Sequence, residues 1–254
     1  MREQMSDCEL ATGSRMGVEC PQMIRFSLFG VTVCIHPTLW LTLAVLGGLF
    51  SCSGVQDLLG VSLFVVAGFI CLLAHEMGHA VVGRFFAHNT PEVHLAWLGG
   101  DCSHDGAHFT RWQGVLMTLA GPLSSLLIGL LTVVVLCLFV RDWGDGLYLA
   151  SFFLFNVLPG EALLSLPYMP MLFFCNMIAV SFWWSVLNLL PVFPLDGGQI
   201  MHGLMRSPKL MHSISLYVAI TLLCVFCVLG IWIAGLLMLA LAVLNYRFRR
   251  QAPY

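Results

Sequence analysis

The chain has 254 residues, of which 59% are hydrophobic and only 9% are charged, and its mean hydropathy is +0.91. Because soluble domains carry about 25% charged residues, this composition excludes a soluble globular protein and indicates an integral membrane protein. The net charge of −2 gives no electrostatic basis for binding nucleic acid.

Three regions follow from polarity along the chain. Residues 1–23 are polar and mixed in charge and predict a cytoplasmic N-terminal tail, residues 24–246 form a transmembrane domain, and residues 247–254 form a basic cytoplasmic tail. A spanning helix needs about 20 mostly apolar residues, and six segments qualify or come close. They are residues 37–53, 58–83, 113–140, 171–190, 211–229 and 231–246.

Two segments near the predicted cytoplasmic interface are typical of strands rather than helices. Residues 24–37, IRFSLFGVTVCIHP, alternate at first and are interrupted by glycine and proline. Residues 92–100, EVHLAWLGG, place Val93, Leu95 and Trp97 on one face before a double glycine. The predicted fold class is therefore an all-α polytopic membrane protein with about six transmembrane helices and short membrane-associated β-strands.

The segment 147–166 is ambiguous because Pro159, Gly160 and Glu161 interrupt an otherwise apolar run. We expect an interfacial or re-entrant piece there, and a seventh span remains an alternative. Lys and Arg accumulate in cytoplasmic loops. With the N-terminus in the cytosol and six spans, only Arg141 among the 11 basic residues faces outward. Both termini are therefore predicted to be cytoplasmic.

The second span ends in LLAHEMGHAVV (72–82), which carries three ionisable groups at bilayer depth. Such groups cost roughly 2.5–3.5 kcal/mol each on insertion scales and usually mark function. His75 and His79 are four residues apart, so a helix places both on one face, where they can bind one zinc ion. Glu76 falls beside them and can act as general base. The pattern predicts a hydrolytic zinc site.

Catalytic zinc usually has three protein ligands and one open position. The segment NLLPVFPLDGGQ (188–199) supplies the third candidate, Asp196, at the same predicted cytoplasmic end of the membrane. Pro191, Pro194 and Gly197 break the helix there, and unwound backbone at membrane depth requires a protein-lined cavity. Asp196 and the two histidines are therefore expected to converge.

These motifs together resemble the site-2 proteases, which are intramembrane zinc metalloproteases. HEMGH (75–79), LAGPLSS (119–125) and NLLPVFPLDGG (188–198) carry the resemblance, and EVHLAWLGG resembles the family's membrane-associated strand. It implies that one Zn²⁺ per chain is bound by the residues identified above, with Glu76 as base. It also implies that Asn188 contacts substrate or the developing oxyanion, and that Gly121 and Pro122 let the third span pack beside the site.

The segment GVTVCIHP (30–37) resembles the corresponding segment in the subgroup of sporulation-factor-processing proteases. Members of that subgroup often carry a nucleotide-binding domain after the last span, and we expect none in this chain. Ser125 stands where the family's third-span motif often has asparagine. The resemblance implies single-span or membrane-anchored protein substrates in a prokaryotic cytoplasmic membrane, with an active site toward the cytoplasm. A regulatory membrane partner or a homo-oligomer remains open.

Because a substrate helix must unwind before cleavage, an extended segment could add to an edge strand, and we expect 92–98 to be that edge. Two alternatives stay open: a metal or ion transporter that uses the His–Glu cluster, and an inactive relative that binds membrane segments. Four further histidines around the second loop are expected to lie in a solvated loop or lid, with a second metal site as the alternative. They are His88, His94, His104 and His108.

Overall fold

The computed structural model describes residues 23–97, 99–104, 106–155, 167–205 and 207–252. Four strands lie within these ranges: β1 (Ile24–Leu28), β2 (Val31–Ile35), β3 (Glu92–Ala96) and β4 (Gly99–Ser103). The α-helices are α1 (Pro37–Leu46), α2 (Val55–Ala87), α3 (Arg111–Val140), α4 (Trp143–Phe155), α5 (Tyr168–Asn188), α6 (Asp196–Leu204), α7 (Pro208–Val228) and α8 (Trp232–Gln251).

Five of the described helices are long and apolar enough to cross a bilayer, namely α2, α3, α5, α7 and α8. They correspond to the second to sixth predicted spans, which confirms a polytopic helical membrane protein with a small sheet. The first predicted span, 37–53, is shorter than expected because α1 has only ten residues. It ends at Gly47 and Gly48, the latter with φ of 91°. At 1.5 Å per residue, α1 covers about 15 Å of a core of about 30 Å.

Strand β2 and helix α1 together run alongside α2. At one end, Arg84 near the end of α2 donates a hydrogen bond of 2.6 Å to the Phe29 carbonyl in the turn before β2. At the other end, Gly47 packs against Phe64 in the first third of α2. Strand and helix therefore run antiparallel to α2.

The four strands form one sheet in the order β1–β2–β3–β4, with a parallel pairing between β2 and β3 and antiparallel pairings at both ends. Its inner face is apolar: Val33, Val93 and Leu95 pack into a buried cluster with Leu72 and Ala80 of α2. The prediction of strands in both segments is confirmed. The prediction that 92–98 is a free edge is wrong, because β3 is paired on both sides and β4 carries the outer edge.

Part of the ambiguous segment 147–166 lies in α4, a helix of 13 residues that packs between α3 and α5 through a cluster including Leu149 and Phe153. Residues 156–166 lie outside the described residues, so a re-entrant piece or a seventh span remains a prediction. Most of the two predicted tails, 1–22 and 253–254, also lies outside them.

Helices α2, α3 and α5 form the centre of the domain. A Cβ on Gly78 of α2 would lie 2.4 Å from the Ala120 carbonyl oxygen of α3, so only glycine permits this crossing distance. Helices α7 and α8 form an antiparallel pair with its own buried cluster, which Val192 of the turn before α6 joins. The site described below lies where these groups of helices meet.

Candidate active site

Helix α2 brings three ionisable side chains to its inward face. His75, Glu76 and His79 are all buried, with at most 9% of each residue exposed. The ring centroids of the two histidines are 4.9 Å apart, as expected for residues one turn apart on a helix. Because α2 is otherwise strongly apolar, these groups are concentrated at one inward-facing position.

A tight turn after α5 delivers the third predicted ligand. Asp196 is the first residue of α6 and is buried. Gly197 and Gly198 let α6 pack on this turn, because a Cβ on either would lie within 2.4 Å of backbone atoms. The closest of these atoms for Gly197 is the Leu189 carbonyl oxygen, at 2.2 Å. The glycine pair therefore sets the depth to which the aspartate reaches.

The three side chains converge. His75 Nε2 lies 3.0 Å from Asp196 Oδ2, and His79 Nε2 lies 3.6 Å from Asp196 Oδ1. Ligand atoms bound tetrahedrally to zinc at about 2.0–2.1 Å are separated by about 3.4 Å. The observed separations bracket that value. The structure thus brings together the metal-ligating residues that the sequence predicts.

Hydrogen bonds on the far sides of both imidazoles fix which nitrogen faces Asp196. His79 Nδ1 is 2.8 Å from the Met117 carbonyl oxygen, which can only accept, so Nδ1 carries the proton. Ser125 donates to the Gly121 carbonyl and accepts from His75 Nδ1 at 3.1 Å. In their neutral forms, both imidazoles therefore turn an Nε2 lone pair toward the carboxylate. Metal-bound histidines almost always donate their other N–H in this way.

An array of lone pairs facing a carboxylate is repulsive unless a cation lies between them. Asp196 Oδ2 is buried and receives no hydrogen bond from the described part of the chain, although it lies 3.0 Å from His75 Nε2. The ionised carboxylate and its unpaired oxygen fit a divalent metal. The residues present therefore suit the predicted zinc ion.

Close packing of α3 holds His79 in place. A Cβ on Gly121 would lie 2.2 Å from His79 Nε2, so glycine is required for α3 to pass this close to the ligand. Pro122 lies inside α3, and its carbonyl accepts a hydrogen bond of 3.1 Å from Ser185 of α5. These two residues, predicted to let the third span approach the site, lie at that approach.

Strand β4 covers Glu76. A Cβ on Gly100 would lie 2.2 Å from Glu76 Cγ, so the Gly100 backbone packs directly against the Glu76 side chain. Cys102, two residues further along β4, also lines the site. Burial raises the pKa of its thiol to about 12, and the charges of Glu76 and Asp101 contribute. The thiol therefore stays protonated beside the carboxylate.

These groups surround a cavity of about 320 Å³. Its walls come from α2, β4, α3, the end of α5, the turn into α6 and Leu237 of α8. A volume of this size is at the lower end of the range for small-molecule sites. It admits a short extended piece of chain but not a helix with side chains, whose diameter is about 10–12 Å.

The four residues predicted to contact the substrate lie in different surroundings. Asn188 lines the cavity, and its amide donates to the Trp184 carbonyl one turn earlier, at 2.9 Å. Val93 and Leu95 are fully buried beneath the sheet, so their side chains cannot contact a substrate strand. Trp97 lies at the β3–β4 turn with 66% of its surface exposed.

Side chains of α7 and α8 form hydrogen bonds to the turn that precedes Asp196. The Asn245 amide of α8 donates to the Phe193 carbonyl at 2.6 Å, and the Phe193 N–H donates to Ser215 of α7 at 3.2 Å. Asn245 is fully buried and also pairs with His212 at 3.0 Å. Both backbone groups of Phe193, three residues before the metal ligand, are thus held by side chains. The predicted helix-breaking residues Pro191 and Pro194 flank Phe193 in this turn.

Sequence reasoning missed Gly100, Ser125 and Asn245 as parts of the site. Gly100 was visible as a double glycine ending a strand, and Ser125 as a departure from a motif, but their contacts are long-range. The histidines of the second loop are separate from the cavity cluster. His104 donates from Nδ1 to Asn89 at 3.2 Å and accepts from the Cys102 thiol at 3.4 Å.

Comparison with known proteins finds relatives named as zinc metalloproteases. A sequence profile of peptidase family M50 matches residues 63–229. A zinc metalloprotease of Methanocaldococcus jannaschii is 25% identical over 205 residues, covering 78% of this chain and 52% of that protein. A Synechocystis protein named as a zinc metalloprotease is 28% identical over 192 residues, covering 70% of this chain and 42% of that protein. The chain spans about half the length of these curated relatives.

Among solved structures, the site-2 protease from Methanocaldococcus jannaschii matches with a TM-score of 0.52 and 21% identity. The match covers 89% of this chain and 95% of that chain. At this level of identity the likeness concerns the fold, and it extends over nearly all of both chains.

Proposed function

The chain belongs to peptidase family M50, the site-2 protease family, and we propose that it is an intramembrane zinc metalloprotease. It would hydrolyse peptide bonds within or near the transmembrane segments of membrane-anchored proteins. The observation that carries the proposal is the convergence of two imidazole Nε2 atoms and one carboxylate beside a further buried carboxylate, Glu76. That set contains what metal-assisted hydrolysis needs: three ligands and a base.

His75, His79 and Asp196 would hold one zinc ion per chain. Bound there, zinc supplies a Lewis acid and lowers the pKa of a bound water to around 7. Two neutral imidazoles and the carboxylates of Asp196 and Glu76 balance the charge of the ion. A cluster with no net charge is cheaper to keep away from bulk water than its separate ions.

Glu76 is positioned to move the proton. Gly100 packs against its carboxylate at the cavity wall, and α2 places it one residue from His75. It takes a proton from the attacking water and passes it to the amine of the leaving peptide. Its burial excludes bulk water, which strengthens its interaction with a nearby developing charge.

The outer edge of β4 offers a place for an unwound substrate. A strand added there would form main-chain hydrogen bonds, and Gly100 on this strand packs against Glu76. Backbone directions on a strand repeat every two residues, so Cys102 faces the same way. A substrate carbonyl on this edge would therefore lie beside the base. Asn188, on the opposite wall, is the candidate donor to the developing oxyanion.

Single-span proteins and membrane-anchored regulators fit a site of this shape and depth. The predicted orientation places the cavity toward the cytoplasm of a prokaryotic cell, and the bilayer itself presents the substrate laterally. Anti-sigma factors, pro-sigma factors and signal-peptide remnants have the required single span. A regulatory membrane partner or a homo-oligomer would control access to such a site.

The test is reconstitution of the purified chain with single-span substrates in liposomes. We expect cleavage that a chelator abolishes and that added zinc restores, and no cleavage by His79→Ala at any zinc concentration. Metal flux without proteolysis would instead favour a transporter, and neither activity would favour an inactive relative.

Crosslinking separates the substrate edge from the chemistry. A photo-reactive residue at Ser103, just beyond the cavity on β4, should capture substrate. The same residue at Ser27 on β1, the opposite outer strand, should not. Equal capture at both positions would contradict the edge assignment without affecting the zinc assignment.

A further inference from the structure

The outer face of the sheet carries a row of chemically active side chains. The strand pairing places Arg25 opposite Cys34, Cys34 opposite His94, and His94 opposite Asp101. Cross-strand partners point to the same face. Glu92 precedes His94 by two residues on β3 and therefore shares that face. This row lies on the opposite side of the sheet from the apolar cluster with α2.

Three of these side chains lie within ligand distance of one another. Cys34 Sγ is 3.2 Å from Glu92 Oε1, and His94 Nε2 is 3.8 Å from the same oxygen. The thiol, a carboxylate oxygen and a ring nitrogen all lie within 4.8 Å of one another. Ligands on a tetrahedral zinc with bonds of about 2.0–2.3 Å are about 3.4–3.6 Å apart. The existing separations need only small rotamer adjustments.

We propose that Cys34, Glu92 and His94 form a second divalent-metal site, separate from the cavity. A thiolate with an imidazole selects ions of the zinc class over magnesium or calcium, which prefer all-oxygen ligands. The fourth position is left for water, since the His94 side chain is 41% exposed. This site goes beyond the proposed protease chemistry and does not depend on it.

Arg25 occupies the position of a counter-ion in the metal-free arrangement. Its Nη2 atom is 2.8 Å from Glu92 Oε1, the oxygen assigned to the metal. The guanidinium is 64% exposed, so it can swing away into solvent at little cost. A divalent ion with one thiolate, one carboxylate and one neutral imidazole carries no net charge. Arg25 and the metal therefore compete for Glu92.

Metal binding at this site must release a proton. Metals of the zinc class bind cysteine as the thiolate, whereas a free thiol is largely protonated at neutral pH. Affinity is expected to rise as pH rises.

The position of the site suggests what it does. A metal here would tie β2 to β3, and β3 is the strand on which β4 is paired. Because β4 carries Gly100 against Glu76, a stiffer sheet would hold the wall of the cavity more firmly. The site thus stabilises the pairing of β2 with β3, away from the β4 edge that is proposed to bind substrate.

Cobalt titration of the metal-free full chain in detergent tests the proposal. The ligands proposed for the cavity are two histidines and an aspartate, so a thiolate-to-cobalt charge-transfer band that persists in Cys102→Ala reports the second site. We expect about two equivalents of bound cobalt, with the band developing for one of them. Cys34→Ala should lose the band and one equivalent, whereas Cys102→Ala, at the cavity, should keep the band.

Two further variants keep the test decisive if Cys34→Ala does not fold. His94→Gln leaves the thiol in place and should weaken cobalt binding at the band-forming site at least tenfold. Arg25→Gln removes the competitor and should tighten it several-fold. An absent band in the wild type, or a band that survives Cys34→Ala, would show that this cluster is only an ion pair with a thiol hydrogen bond. Weaker binding in Arg25→Gln would contradict the competition.

Discussion

The contact between Gly121 and His79 gives the sharpest prediction for the zinc site. A Cβ at Gly121 would lie 2.2 Å from His79 Nε2, whereas ordinary contacts begin at 3.4 Å. Either the imidazole or the helix must therefore move by 1.2 Å (3.4 − 2.2). Metal–ligand distances tolerate only about ±0.2 Å. Gly121→Ala is thus expected to displace a ligand well beyond what zinc accepts.

Both ways of relieving this clash affect the same ligand. If the ring turns away, Nε2 leaves its position opposite Asp196. If α3 moves outward, the 2.8 Å bond from His79 Nδ1 to the Met117 carbonyl is stretched. Loss of a supporting bond alone costs about 10–100-fold in metal affinity. We therefore expect Gly121→Ala to weaken zinc binding by at least about 100-fold.

The assay is a zinc dissociation constant from competition with a chelating dye, fitted to the site that His79→Ala abolishes. Gly114→Ala is the matched control, because it lies on the same helix and a Cβ there meets nothing within 4 Å. The control should bind zinc normally and unfold at the same or a slightly higher temperature. If Gly121→Ala binds zinc within twofold of Gly114→Ala, the packing does not set the ligand position.

Three further predictions follow from contacts around the cavity. Gly100→Ala should keep zinc but lose most cleavage, because its Cβ would overlap the Glu76 side chain. Gly99→Ala is the control and should cleave normally, because a Cβ there meets no described atom within 4 Å. Equal activity of the two variants would contradict the assignment of β4 as the cavity wall. Ser125→Ala removes the hydrogen-bond acceptor of the His75 imidazole and should weaken zinc binding by about 10–100-fold. The neighbouring Ser124→Ala is the control. Equal zinc affinities of the two variants would refute the role of Ser125 in positioning His75. Asn245→Leu should also weaken zinc binding by about 10–100-fold. Thermal unfolding of the metal-free variant is measured in parallel. Unchanged zinc affinity would show that the hydrogen bond from Asn245 to Phe193 does not position Asp196.

The features that the sequence predicted correctly depend on local patterns. Apolar length identifies spans because the bilayer core is about 30 Å thick, and five of the described helices meet that requirement. The spacing of His75 and His79 defines a shared helical face without knowledge of any other element. Asp196 was placed near them because its turn interrupts an apolar run at the same predicted membrane depth.

The features that the sequence could not supply depend on pairing between distant segments. Alternation along 92–100 predicts a strand but not its neighbours, so β3 was taken for an edge although it lies inside the sheet. The bond of Ser125 to His75 joins residues 50 apart, and that of Asn245 to Phe193 joins residues 52 apart. Hydropathy overestimates the first span because apolar residues continue past Gly47 and Gly48, where α1 ends.

Glu76→Gln, compared with the wild type, tests the central claim most directly. Zinc content and cleavage of a reconstituted single-span substrate would be measured on the same preparations of both proteins. The amide keeps the size of the side chain and leaves His75, His79 and Asp196 unchanged. We expect equal zinc at the site that His79→Ala abolishes, and cleavage by the wild type alone. Cleavage by Glu76→Gln at a comparable rate would contradict the account.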